Sequence, residues 1–114
     1  TDMYKGDSAL AFRTQCTKLF RQKYPKANIL SVAIPQKDWT LEKIEKDDEI
    51  VGYRKTLHCF VIARDGDEGY INAKFTYGQS KKVGHDFVRS VAEWPKWERT
   101  DVLTTSVYQQ LLKL

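Results

Sequence analysis

Residues 57–75 read LHCFVIARDGDEGYINAKF, and the fold follows from how this stretch is parsed. Leu57, Cys59, Val61 and Ala63 alternate with His58, Phe60 and Ile62, the two-residue period of a strand whose successive side chains point to opposite faces. After RDGDEG the alternation restarts, with Ile71, Ala73, Phe75 and Tyr77 on one face and Tyr70, Asn72, Lys74 and Thr76 on the other. Two such runs joined by Asp65-Gly66 predict a β-hairpin, because this dipeptide tolerates the backbone conformations that tight turns impose. The same hexapeptide offers three carboxylates to a cation. A calcium loop of the EF-hand type needs about a dozen residues and a distal glutamate, whereas Gly69 is followed at once by a strand. The turn reading therefore prevails, with Asp67 and Glu68 as solvent-facing charges at its tip.

Working upstream, the alternation extends back through Lys55, Tyr53 and Val51 to Ile50, a long strand partly apolar on both faces, as expected of a central strand covered by a helix on one side. That helix is predicted after Asp7 or Ser8 as cap, with Ala9, Phe12, Cys16, Leu19, Phe20 and Lys23 near a three-to-four spacing and Tyr24-Pro25 as its end. Asn28–Ile34, rich in branched residues and closed by Pro35, reads as a strand. Trp39–Glu49 admits a helical turn opened by Thr40, or a charged edge strand and loop.

Downstream, Gly78–Gly84 reads as a second turn, and Phe87–Trp94 as a third long strand in preference to a helix. Pro95 ends it. Thr100 or Asp101 caps a last helix, with Val102 or Leu103, Val107, Leu111 and Leu114 as its apolar stripe. The expectation is an α+β domain over residues 1–114, in which an amphipathic N-terminal helix packs on a twisted antiparallel sheet of about four strands, followed by a short C-terminal helix.

Hydrophobic residues at 41% and charged residues at 30% fit a folded globular chain. The longest apolar run, Phe60–Ala63, is far short of the ~20 residues a spanning helix needs. The net charge of +4 is unevenly placed: Ser8 to Lys37 holds no acid, while Asp38 to Glu49 holds Asp38, Glu42, Glu45, Asp47, Asp48 and Glu49. The two segments can complement each other within one fold or steer an anionic partner to one face. The start at Thr1-Asp2-Met3 reads as a processed end, a tag remnant or a domain cut from a longer chain. With two cysteines, it points to an exported or envelope-associated protein. Cys16 and Cys59 fit one disulfide or two buried thiols.

In element order the chain resembles the cystatin-like and NTF2-like α+β rolls, in which an early helix is wrapped by a curved sheet. The cystatin resemblance places Glu49-Ile50-Val51-Gly52-Tyr53 at that family's first inhibitory loop and Trp94-Pro95-Lys96-Trp97 at its tryptophan-bearing second loop. Gly52 directly follows Val51 with no preceding glutamine, which departs from that family's Gln-x-Val-x-Gly. The NTF2-like resemblance implies a concave pocket between helix and sheet, lined by Trp39, Tyr53, Phe75, Tyr77 and Trp94, with Trp97 beside it. Such pockets hold enzymes in some members and only ligands or partners in others.

No residue set spells out a reaction. His58 adjoins Cys59, but strand neighbours face opposite ways, and His85-Asp86 fits a turn. No Gly-rich phosphate loop, serine elbow or metal-spaced His/Cys set occurs, so neither a metal nor a cofactor is expected. Arg13, Lys18 and Arg21 could offer an anion a few contacts along the helix, although Asp38 to Glu49 would repel the same ligand, which disfavours nucleic acid. The expected role is a non-enzymatic module that binds another protein or a small ligand, with homodimerisation through an exposed apolar patch or sheet edge as one route. The rivals are an enzyme with an NTF2-like pocket, a cystatin-like protease inhibitor and a basic nucleic-acid-binding domain.

Overall fold

The computed structural model describes residues 2–66, 69–90, 92–103, 110, 112 and 113. A single helix among these residues, α1 (Ala9–Lys23), precedes β1 (Asn28–Ala33), β2 (Thr40–Lys46), β3 (Glu49–Arg64), β4 (Tyr70–Lys82), β5 (Val88–Arg89) and β6 (Lys96–Leu103). The chain is thus an α+β fold with one helix laid on one face of an antiparallel sheet. At its centre the β3–β4 hairpin runs in unbroken register from Gly52↔Lys82 to Arg64↔Tyr70. Two strands share each outer edge. β1 pairs with Phe60–Arg64 and β2 with Glu49–Thr56 along β3, while β6 pairs with Tyr70–Thr76 and β5 with Gln79–Ser80 along β4.

This split-edge arrangement corrects the expected strand count. The described sheet has six strands, although it is about four wide at any level because the outer strands lie end to end. Between β1 and β2 the ladder is completed by one side chain. The Gln36 carbonyl oxygen accepts from the His58 N–H at 2.7 Å and its amide donates to the Thr56 carbonyl at 3.3 Å. Gln36 thereby satisfies backbone groups of β3 that neither edge strand reaches.

α1 forms because Phe12, Cys16 and Phe20 recur on one stripe and are buried there, with Ala9 and Leu19 packed alongside. Lys23 falls outside that stripe and is exposed, and Ser8 stands at the N-cap without a side-chain cap bond. Opposite the stripe lie Leu57, Cys59, Val61 and Ala63 of β3 and Ile71, Ala73, Phe75 and Tyr77 of β4, all buried. These are the inward sets of the alternating pattern. Each large side chain among them contributes roughly 1.5–3 kcal/mol by leaving water. The N-terminal segment closes one end of this layer: Arg13 donates to Asp2 at 2.6 Å and to the Tyr4 carbonyl at 2.7 Å. Burial opposes the Asp2 charge, but the Arg13 guanidinium and the Ile34 N–H outweigh it and hold the carboxyl below its ordinary pKa.

Three segments differ from the sequence reading, and a fourth that the reading left open is decided. Trp39–Glu49 resolves as the charged edge strand β2, closed onto β3 by Asp47 and Asp48 at φ 52° and 64°. Those left-handed conformations suit a tight hairpin, and aspartate accepts them better than most residues. Gly78 is not a turn. It lies inside β4, where Ser90 approaches so closely that an added Cβ would sit 2.7 Å from its hydroxyl; a strand glycine here marks a close approach. The connection falls instead at 83–87, and the third long strand shrinks to the two residues of β5. Finally, Thr100 and Asp101 lie within β6 and open no helix. Up to Leu103, the helical reading that began at Thr100 or Asp101 is outweighed by pairing of Lys96–Leu103 along the edge of β4. Val107, Leu111 and Leu114 of that expected stripe lie outside the described residues, as do Asp67 and Glu68 of the turn tip. The two strand ends are joined by a bond from the Asp65 N–H to the Gly69 carbonyl at 3.2 Å.

Candidate functional site

The aromatic residues expected to line a pocket between helix and sheet instead fill that space as two clusters. Near the start of α1, Phe12 stacks on Tyr77 with centroids 4.0 Å apart and meets Trp39 and Trp94 edge-on at 6.0 Å each. Near its end, Phe20 and Tyr24 pack with Trp97, which lies 4.8 Å from Phe75. Each such pair adds about 0.5–1.5 kcal/mol beyond area burial. Tyr53 belongs to neither cluster and pairs with Lys81 further along the hairpin. Gly52 is a buried residue inside β3 pressed against the Lys81 carbonyl, so Glu49–Tyr53 forms paired strand, not a protruding loop.

A polar chain ties the first cluster together. The Tyr77 hydroxyl donates to Gln15 Oε1 at 2.8 Å, and Gln15 Nε2 donates to the Trp94 carbonyl at 2.8 Å. The same hydroxyl stands 3.5 Å from Cys16 Sγ. Cys16 and Cys59 are free and fully buried, one from the helix and one from the central strand. The Cys59 thiol beside Cys16 lowers the Cys16 pKa, whereas the Cys16 contact, followed by burial, raises that of Cys59. Burial, followed by the Cys16 contact, raises the pKa of Tyr77. Burial keeps all three groups out of reach of solvent inside a packed core.

The basic residues of α1 do not form one surface. Arg13 is half-buried and committed to Asp2 and Tyr4, and Arg21 points to the Ala27 carbonyl at 3.5 Å. Of the three, Lys18 alone has neither an ion pair nor a hydrogen bond among the described residues.

The sheet face turned away from α1 is different. There the even-numbered residues of β3 and β4 floor a trough of about 370 Å³. Thr56, His58, Thr76 and Gly78 form its base, Arg54 and Glu42 rise at one side, and Lys96, Glu98 and Lys74 at the other. The missing side chain of Gly78 keeps the floor low, with the Ser90 hydroxyl at its rim. His58 Nδ1 lies 2.9 Å from the Thr76 hydroxyl. Desolvation, and then the Lys74 charge, lower the His58 pKa, so the imidazole is neutral at pH 7.

A bulge in β6 sets the charge pattern. Lys74 pairs with Arg99 and Phe75 with Trp97, so Glu98 is the extra residue. This aims Trp97 at the core and brings Glu98 within 3.2 Å of Lys74 Nζ. Burial opposes the Glu98 charge, but bonds from Lys74 and Thr76 prevail and its pKa lies below the usual glutamate value. Lys74 is thereby neutralised. Among the described residues Arg54 and Lys96 have no ion-pair partner, although both line the trough. Sequence reasoning missed this set because its members come from four strands and the residue after β5; the one available signal was the polar alternation Arg54, Thr56, His58 opposite the apolar face of β3.

Among the described residues no group of three or more His, Cys, Asp or Glu side chains could hold a metal ion, and no helix is long and apolar enough to cross a membrane. No protein-family model, curated protein or solved structure matches this chain, and its function is read from its own residues.

Proposed function

We propose that this domain is a ligand-binding module whose open sheet face holds a small organic anion, carboxylate or phosphate, in the trough between Arg54 and Lys96. The observation that carries the reading is the pairing of two cations lacking carboxylate partners with a floor of hydroxyls and a neutral imidazole. Cations left unneutralised beside fixed donors are arranged for an incoming acceptor. The Thr56 and Ser90 hydroxyls and the free edge of His58 supply directional bonds that a bare charge would not. A binding role fits the state of Glu98: burial alone would raise its pKa, yet Lys74 and Thr76 keep it a stable anion unsuited to give or take a proton near neutrality.

The test is isothermal titration with inorganic phosphate, acetate and a phosphate monoester, followed by Arg54→Gln and Lys96→Gln. Loss of one charge-assisted bond, roughly 1.5–3 kcal/mol, weakens binding about 10- to 100-fold in each variant. Equal affinity in wild type and both variants, or the absence of binding by all three anions at millimolar concentration, would reject the reading.

A further inference from the structure

A second surface, on the helix side of the sheet, has a different chemistry. α1 covers the hairpin only from about Leu57 and Tyr77 onward, and β3 and β4 continue past its N-terminal end to Gly52 and Lys82. The register fixes what that uncovered half presents. Lys43 of β2 stands opposite Tyr53, and Tyr53 opposite Lys81; in the next row Lys55 stands opposite Gln79, and Gln79 opposite Arg89. Residues sharing a pair share a face. The rows therefore carry four cations and no acid, although Glu42 and Glu45 lie in the same short strand, because Glu42 faces the trough on the opposite side.

Three of these cations rest against rings. Lys55 Nζ lies 4.9 Å from the Trp39 centroid and 4.6 Å from that of Phe87. Lys81 Nζ lies 5.6 Å from Tyr53 and 5.2 Å from Phe87, and the Arg89 guanidinium 4.7 Å from Trp94. A ring face orients a cation without cancelling its charge. Among the described residues none of Lys43, Lys55, Lys81 or Arg89 is paired with a carboxylate.

We propose that this face binds single-stranded nucleic acid, its cations contacting phosphates and the half-exposed Tyr53 and Phe87 rings stacking on bases. Cations interleaved with aromatic side chains on an open sheet are the combination that a strand with both phosphates and flat bases uses fully. An acidic peptide would use the lysines but leave the rings idle. The acidic turn at Asp47 and Asp48 bounds the surface at the hairpin tip, so the strand crosses the sheet on the α1 side of that turn.

The experiment is fluorescence anisotropy with a labelled twelve-residue oligo-dT, with poly-glutamate of similar charge in parallel, at several salt concentrations. The oligonucleotide binds more tightly than poly-glutamate and quenches the emission of Trp39 and Trp94. Lys55→Gln with Lys81→Gln weakens it at least tenfold and reduces the salt slope by about 1.4, since each single-strand phosphate contact accounts for roughly 0.7. Tyr53→Leu weakens the oligonucleotide about tenfold, in line with the loss of one stacked base, and leaves poly-glutamate unchanged. Circular dichroism establishes that each variant is folded. No oligo-dT binding at 50 mM salt overturns the proposal. So does equal binding of both polymers with no effect of Tyr53→Leu, or binding that survives the double lysine substitution and is lost in Arg54→Gln.

Discussion

Removing a single oxygen from the core, by Tyr77→Phe, tests how helix and sheet are joined. The Tyr77 ring is fully buried and stacked on Phe12, and phenylalanine keeps that packing. What is lost is the hydroxyl that donates to Gln15 Oε1 at 2.8 Å and lies 3.2 Å from the Phe12 carbonyl. One net hydrogen bond contributes about 1 kcal/mol, and leaving Gln15 Oε1 without its donor costs about 1 kcal/mol more, near the lower end of the range because Gln15 is only half-buried. The expected destabilisation is about 2 kcal/mol. With a urea m-value near 1.5 kcal/mol/M, the midpoint falls by about 1.3 M at unchanged slope. Urea titration followed by tryptophan fluorescence reads this directly, since Trp94 and Trp97 pack on the two clusters joined to α1. Gln15→Met should cost less, about 1 kcal/mol, because the hydroxyl retains the Phe12 carbonyl. The double variant should fall short of the sum by about 1 kcal/mol if the two groups act on each other. A Tyr77→Phe change below 0.5 kcal/mol, or full additivity with Gln15→Met, would refute the reasoning.

Further outcomes follow from the same geometry. Gly52→Ala should cost about 1–3 kcal/mol by overpacking against the Lys81 carbonyl, and should cost more than Gly78→Ala, whose new methyl meets only the movable Ser90 hydroxyl; thermal denaturation of the pair decides the order. Cys16 and Cys59, both free and buried, should resist a thiol reagent in the folded protein and react together once denaturant unfolds it, and a reagent count of zero in denaturant would contradict free thiols. His58 carries a lowered pKa, so the unfolded chain takes up its proton first as pH falls. Stability is therefore full above the unfolded histidine value, near 6.5, and declines as pH drops from there toward the folded value. His58→Gln should flatten that part of the profile measured by urea midpoints, and an unchanged slope would exclude His58 as its source.

Much of the architecture was legible because alternation is a local property. The inward set Leu57, Cys59, Val61, Ala63 and its partner Ile71, Ala73, Phe75, Tyr77 followed from the two-residue period, and Phe12, Cys16 and Phe20 from the helical one. The failures arose where local and non-local terms compete. Gly78 reads as a turn until Ser90 is known to press on it, and Thr100 or Asp101 reads as a helix cap until β6 is known to pair with the edge of β4. Trp39–Glu49 has no strong period of its own, and its strand is fixed by pairing with β3 and by the Asp47-Asp48 turn.

The sequence by itself determined the helix, the central hairpin and the identity of the buried face, since hydrophobic period acts within each element and needs no partner. Which polar residues meet was decided by tertiary structure alone. Arg13 and Arg21, two turns apart on one helix, bond to Asp2 and Ala27, while Arg54 and Lys96, far apart in the chain, converge over one trough. The bulge at Glu98 neutralises Lys74 and leaves those two cations unpaired. Charge acts through distance in space, and strand register sets that distance.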